Sequence, residues 1–323
     1  PHFDILIRNA QLRDKSDLVD IGIVDGQIIT VTKQLADDAD SLVDARGNLV
    51  TESFVNPQLH LCKVYTRQMM DDEALTGYHA DGMGKAMTTI ELAARVKEKY
   101  DESWIIKNVR RALAQAALYG NTHIRAFADV DSKARLEGVK ALVRAREEFK
   151  EIVEVQVCAF AQDGLVREPG ASALMRQAME MGADVAGGIP WIEYTESDIQ
   201  AHIREIFDLA HEFGKDVSML VDDAGDAGLR SLEGMAVEAI RRGYQGRALA
   251  HHARAMALYP QPYFQKVSAL LKQAQMAIVS DPHTGPLHAR VKELLEEGVT
   301  VCLGQDDNSD GYYPFGRNNM LEV

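Results

Sequence analysis

Eight short apolar runs, separated by segments of helical pattern, constrain this chain more than any other feature. The runs lie at Leu49–Leu61, Thr122–Val130, Glu154–Gln162, Ala183–Ile189, Asp216–Asp223, Arg247–His252, Met276–Pro282 and Thr300–Asp307. Between them lie Thr89–Leu118, Ser132–Glu148, Ser197–Glu212, Ser231–Arg242 and Gly285–Glu296, which read as helices. Thr195 and Ser197 are suitable N-caps, and Gly182, Gly214 and Gly298 follow helix ends. Strands apolar on both faces that alternate with helices imply a parallel sheet covered by helices. Eight such units close a (β/α)8 barrel. A doubly wound open sheet is the rival, but no Gly-x-Gly-x-x-Gly turn follows the first run. The expected fold class is therefore α/β, a TIM-like barrel.

The first fifty residues read differently. Phe3–Arg8, Asp20–Val24 and Gln27–Val31 alternate, and Val24-Asp25-Gly26-Gln27 carries a hairpin signal. Expected domains are a small β-sandwich-type unit over 1–50 and the barrel over 51–323. The segment Lys63–Thr88 after the first barrel strand is long, and reads as a lid over the barrel mouth or as a surface insertion.

The 323 residues carry a net charge of -14, which argues against nucleic-acid and anionic-membrane partners, since both need clustered Lys and Arg. No run approaches the roughly 18 apolar residues of a membrane span, and no secretory leader is visible. Cys62, Cys158 and Cys302 are an odd count in apolar runs, which reads as free thiols in a reducing cytoplasm.

In such a barrel, chemistry gathers at the carboxyl ends of the strands. Those ends offer Gln58, His60 and Cys62; Arg125, Phe127 and Asp129; Gln162 and Asp163; Trp191 and Glu193; Asp222 and Asp223; His251 and His252; Asp281 and His283; and Gln305, Asp306 and Asp307. Singly, each has a structural explanation, such as Asp-Asp capping the next helix. Together they form a polar mouth on an apolar barrel.

Several of these stretches resemble the amidohydrolase superfamily, in its cytosine deaminase-like branch, which includes N-isopropylammelide aminohydrolases. The likeness begins at Phe3-Asp4-Ile5-Leu6-Ile7-Arg8-Asn9-Ala10. It is clearest over Phe54–Lys63, Arg125–Ser132, Ala159–Gly164, Gly182–Thr195 and Val301–Val323. The resemblance implies that Gln162 contacts a substrate ring, that Asp306 touches a metal and helps activate water, and that His252 sits by that water. It also exposes departures. Gln58 stands at the first metal histidine, and Leu220 at the metal histidine of the fifth strand. Phe127, Trp191 and Gln305 replace further mouth histidines, and Asp223, preceded by Asp222, replaces a catalytic glutamate. Of four implied ligands only His60 and Asp306 remain, where a catalytic zinc or iron typically takes about three protein ligands plus water. The resemblance also implies a last helix and further β-strands beyond Val323, so a missing C-terminal part, or a partner covering that side, is expected.

The expected function is hydrolysis of a C–N bond in a small nitrogen heterocycle of cytosine or triazine type. Asp306, His252, Asp223 and Asp222 are the candidate catalytic groups, and Gln162, Trp191, Phe127 and Gln58 the candidate substrate contacts. His60 and Asp306 form a weakened site for one divalent metal, zinc or iron, or for none. The alternative is a non-catalytic heterocycle-binding protein or a partner subunit. A small-molecule ligand and a homo-oligomer are expected.

Overall fold

The computed structural model describes residues 2–36, 38–70, 91 and 94–323. The chain separates into two compact units, residues 1–53 and 54–323.

The first unit is a four-stranded sheet. β1 (Phe3–Ala10) and β2 (Val19–Val24) pair antiparallel, and β3 (Gln27–Thr32) follows through the Asp25-Gly26 turn. Asp25 and Gly26 both sit at positive φ, 51° and 71°, as a tight hairpin turn requires. β4 (Ala39–Asp44) lies parallel to β1 on its other side, giving the order β3-β2-β1-β4. β4 escapes sequence reading because it is an exposed edge, with only Ala39 half-buried.

The second unit holds eight strands: β5 (Phe54–Leu59), β6 (Asn121–Asp129), β7 (Glu154–Ala161), β8 (Val185–Gly188), β9 (Asp216–Val221), β10 (Ala248–His252), β11 (Ala277–Ser280) and β12 (Val301–Leu303). Each pairs parallel with the next. The ring closes between first and last through Asp306 N donating to Gln58 O at 2.9 Å and His60 N donating to Asp306 O at 2.7 Å. All eight runs read from the sequence are strands, and the TIM-like barrel stands.

Seven α-helices of the described residues cover the sheet: α1 (Glu102–Leu118), α2 (Glu137–Phe149), α3 (Ala171–Glu180), α4 (Glu196–Phe213), α5 (Ser231–Arg242), α6 (Gln261–Ala274) and α7 (Val291–Glu296). Their buried faces are mostly Ala, Leu, Ile, Val and Met, and these join the strand side chains in one continuous core. α4 starts where expected: Thr195 accepts from Asp198 N and the Asp198 carboxylate accepts from Thr195 N. Gly214 ends it at φ 66°.

Two helical readings need correction. Thr89–Leu118 is not one helix. Residues Arg95–Lys99 form a short 3-10 turn, Tyr100 is extended, and the Asp101 side chain accepts from Ser103 N at 2.8 Å to start α1 afresh. Gly285–Glu296 is helical only over α7, because Pro286 lies inside the earlier part and lacks the N–H a continuing helix would use. The lid reading falls mainly on 71–88, outside the described residues. No helix among the described residues is long and apolar enough to cross a membrane.

Candidate active site

The seam that closes the ring also assembles the site. Because the closing hydrogen bonds tie Gln58 and His60 to Asp306 through the backbone, their three side chains converge at the carboxyl end of the barrel. Gln58 Nε2 donates to Asp306 Oδ1 at 2.6 Å and lies 3.1 Å from His252 Nε2. His60 Nε2 is 3.4 Å and His252 Nε2 3.8 Å from the same Asp306 oxygen. Thr284 donates its hydroxyl to Asp306 Oδ2 at 2.6 Å. Burial disfavours the Asp306 carboxylate, yet His252 and His60 outweigh it and hold its pKa well below the ordinary range.

The Asp306 carboxylate only accepts, so it turns the Gln58 NH2 toward itself and the amide oxygen toward His251. Arg125 Nη1 donates to Ser218 Oγ at 3.3 Å, and Ser218 Oγ lies 2.5 Å from His251 Nε2. Burial, then Arg125 and His252, push the His251 pKa well below its usual value, so the ring is neutral and carries one proton. Gln58 Oε1 only accepts, so that proton is on Nδ1, and Nε2 accepts from the Ser218 hydroxyl. The amide oxygen is thereby committed to His251, and the NH2 faces Asp306 and His252.

Behind His252, Nδ1 lies 3.3 Å from Asp281 Oδ2 and 3.8 Å from Asp223 Oδ1. Arg254 pairs with Asp223 at 2.8 Å, donates to Thr284 Oγ1 at 2.5 Å and reaches the Asp281 carbonyl at 3.3 Å. Burial first, and Asp306 second, push the Asp281 carboxyl well above its usual pKa. Burial lowers that of His252, so the imidazole is neutral. His252 and Asp306 hold left-handed backbone at φ 65° and 68°. Such strain costs about 1–3 kcal/mol per residue and collects at functional sites.

The other candidates separate by location. Asp223 joins the His252–Arg254 group. Asp222, its neighbour, turns away: its carboxylate accepts from Ser231 N at 2.8 Å, Leu232 N at 3.1 Å and Tyr259 OH at 2.9 Å, capping α5. Gln162 borders a narrow cleft beside the centre, with Asp129, Lys97 and Tyr100. Phe127 is fully buried beneath the histidines, its ring 5.2 Å from those of both His60 and His251. Trp191 and Leu220 pack with it in an apolar plug. Cys62 is buried, and burial pushes its thiol well above the ordinary range, which removes it as a nucleophile. Cys62, Cys158 and Cys302 are all free thiols.

Arg254, Thr284 and Ser218 were missed in the sequence. Arg254 follows His252 by two residues and Thr284 follows β11 by four, so a wider reading of the strand ends would have found them. Ser218 lies inside β9, and nothing local marks it.

His60, Asp306 and Asp307 bring potential metal-ligand atoms within 4.8 Å of one another. The two carboxylates are engaged, while His60 Nδ1 has no hydrogen-bond partner among the described residues. Asp307 Oδ1 lies 3.2 Å from the buried Lys63 ammonium, and Asp306 is taken by the Gln58 amide and Thr284. Leu220 supplies no donor atom. With His60 as the one imidazole and both carboxylates engaged, this set does not fit a resident catalytic transition metal, which needs about three available protein ligands.

The family model for the amidohydrolase family matches residues 41–323. The N-isopropylammelide isopropyl amidohydrolase of Pseudomonas sp. (strain ADP) is 30% identical over 324 aligned positions, covering 99% of this chain and 78% of that protein. The crystal structure of 5-methylcytosine deaminase from Klebsiella pneumoniae liganded with 5-fluorocytosine superposes with a TM-score of 0.88 at 29% identity, over 98% of this chain and 78% of that one. N-isopropylammelide isopropylaminohydrolase from Burkholderia multivorans ATCC 17616 follows at a TM-score of 0.82 and 26% identity, over 98% and 78%. The chain belongs to the amidohydrolase family.

Proposed function

We propose that the chain hydrolyses an exocyclic C–N bond of a small planar nitrogen heterocycle, releasing ammonia or an amine, without a resident metal. The proteins it is similar to bear the names of a triazine-derivative amidohydrolase and a cytosine-type deaminase. The observation that carries the metal-free part is the Gln58 amide, donating to Asp306 where a cation would have to sit.

Under this reading His252 is the base. It is neutral, and its Nδ1 faces Asp281 and Asp223. A water that takes the place of the Gln58 N–H at His252 Nε2 gives up one proton to the imidazole as its oxygen bonds to the ring carbon. The C–N bond then breaks, and the departing nitrogen takes that proton. Asp306, held ionised between Gln58, His60 and Thr284, stabilises the transient imidazolium. Arg254 holds Asp223 and Thr284 in place. The three free thiols support a reducing, cytoplasmic setting.

The saturated Asp306 supports a second reading, in which the heterocycle is bound but not turned over. The test is release of ammonia or alkylamine from aminopyrimidines and N-alkylaminotriazines, by protein dialysed against a chelator. Release that persists in chelator and disappears in His252→Ala supports the first reading. Tight binding without release leaves the second, and release that requires added metal contradicts the metal-free centre.

A further inference from the structure

The cleft beside the centre contains buried acceptors that nothing among the described residues satisfies. Asp129, Gln162 and Asp310 line it, all at least nine-tenths buried. Asp129 Oδ1, Gln162 Oε1 and Asp310 Oδ2 each lack a hydrogen-bond partner. The other halves of the two carboxylates are occupied: Asp129 Oδ2 accepts from Tyr100 OH at 3.1 Å, and Asp310 Oδ1 from Tyr312 N and Tyr313 N at 2.8 and 3.0 Å. Buried acceptors without donors are costly, so three around one cleft point to a ligand that supplies the donors.

The cations in the cleft wall are engaged elsewhere. Lys97 Nζ donates to Asp131 at 2.8 Å and Asp163 at 2.6 Å. Lys63 Nζ pairs with Asp307 and lies 4.1 Å from the centre of the Tyr312 ring. With both ammonium groups of the wall engaged, the groups left free in the cleft are acceptors, which disfavours an oxygen-rich edge. The cleft also borders the reaction centre, since Asp129 Oδ1 is 4.0 Å from His60 Nδ1.

We infer that the substrate carries N–H donors on two edges: the amine that leaves, and a second, non-reacting amino edge held by Asp129, Gln162 and Asp310. This rests on the hydrolase reading for the first edge only; the second is a statement about binding. The natural ligand class is then a polyamino heterocycle rather than a ring with a single amino group.

The probes are melamine and cyanurate, the same triazine ring bearing three amino groups or three oxygens. Their affinities are measured by calorimetry on the full chain, with amine release followed separately. The expected result is melamine binding at least about tenfold tighter than cyanurate. Asp310→Asn keeps the Oδ1 turn but converts the free acceptor into a donor, and is expected to erase most of that preference. Gln162→Met, in a separate element, reports independently should Asp310→Asn fail to fold. Equal binding of the two rings, a preference untouched by both variants, or no binding of either ring overturns the inference. Melamine binding in the expected pattern without amine release upholds the amino-edge site and defeats the hydrolase reading. Amine release from other rings with no melamine preference does the reverse.

Discussion

Gln58 and Asp306 are joined twice, once through the backbone bond that closes the barrel and once through the side-chain bond at 2.6 Å. The residue that completes the ring therefore also supplies the donor at the heart of the site. Replacing Gln58 with Leu removes a donor from Asp306 and from His252, and an acceptor from His251, all of them buried. Breaking such a group is expected to destabilise the fold by about 2–4 kcal/mol, read from urea unfolding midpoints. An unchanged midpoint would mean that Asp306 does not depend on the amide.

Arg254 links three acidic residues of the centre. It pairs with Asp223, reaches the Asp281 carbonyl and engages Thr284, which in turn donates to Asp306. Arg254→Met leaves the half-buried Asp223 without its ion pair, so a loss of about 1–3 kcal/mol is expected on denaturation. Arg254→Lys restores the charge but not the fork of donors, and is expected to recover only part of it.

Gly304 tests the packing of the seam. A Cβ there would lie 2.3 Å from Asp281 Oδ1, 2.8 Å from Val279 Cγ1 and 3.1 Å from Gln58 Cβ. Gly304→Ala is expected to lower stability by about 1–3 kcal/mol through overpacking. A thermal midpoint equal to that of the parent would contradict the close approach.

Glu193 supplies a pH dependence away from the centre. Burial opposes its charge, but His202 Nδ1 at 2.7 Å and the N–H groups of Leu165 and Arg167 outweigh burial and hold its pKa below the usual value. A depressed carboxyl contributes stability that is present above its unfolded pKa, about 4.3, and is lost as pH falls through the lower folded pKa. The stability difference between the parent and Glu193→Gln is therefore expected to be full near pH 6 and to shrink in acid. A pH-independent difference between the two unfolding curves would contradict this assignment.

How far the sequence reveals this molecule depends on the range of the signals. The barrel is legible because strand burial and helix caps are local: eight apolar runs and caps such as Thr195 each announce themselves within a few residues. The convergence of Gln58, His60, His252 and Asp306 follows once the barrel is accepted. The direction of the Gln58 amide does not, because it is set by side-chain contacts with Asp306 and His251, which no local pattern announces. Asp222 and Asp223 look alike as a strand-end pair. Only the positions of Ser231 and Tyr259 separate the helix cap from the residue beside His252.

The claim that an amide stands in for a cation is tested most directly by zinc titration. Chelator-dialysed protein and a Gln58→His, Leu220→His variant would each compete with a chromophoric chelator for the metal. The parent is expected to show no stoichiometric site and the variant to bind one equivalent, where two imidazoles join His60 and Asp306. One equivalent of tightly held zinc in the unaltered chain would contradict it.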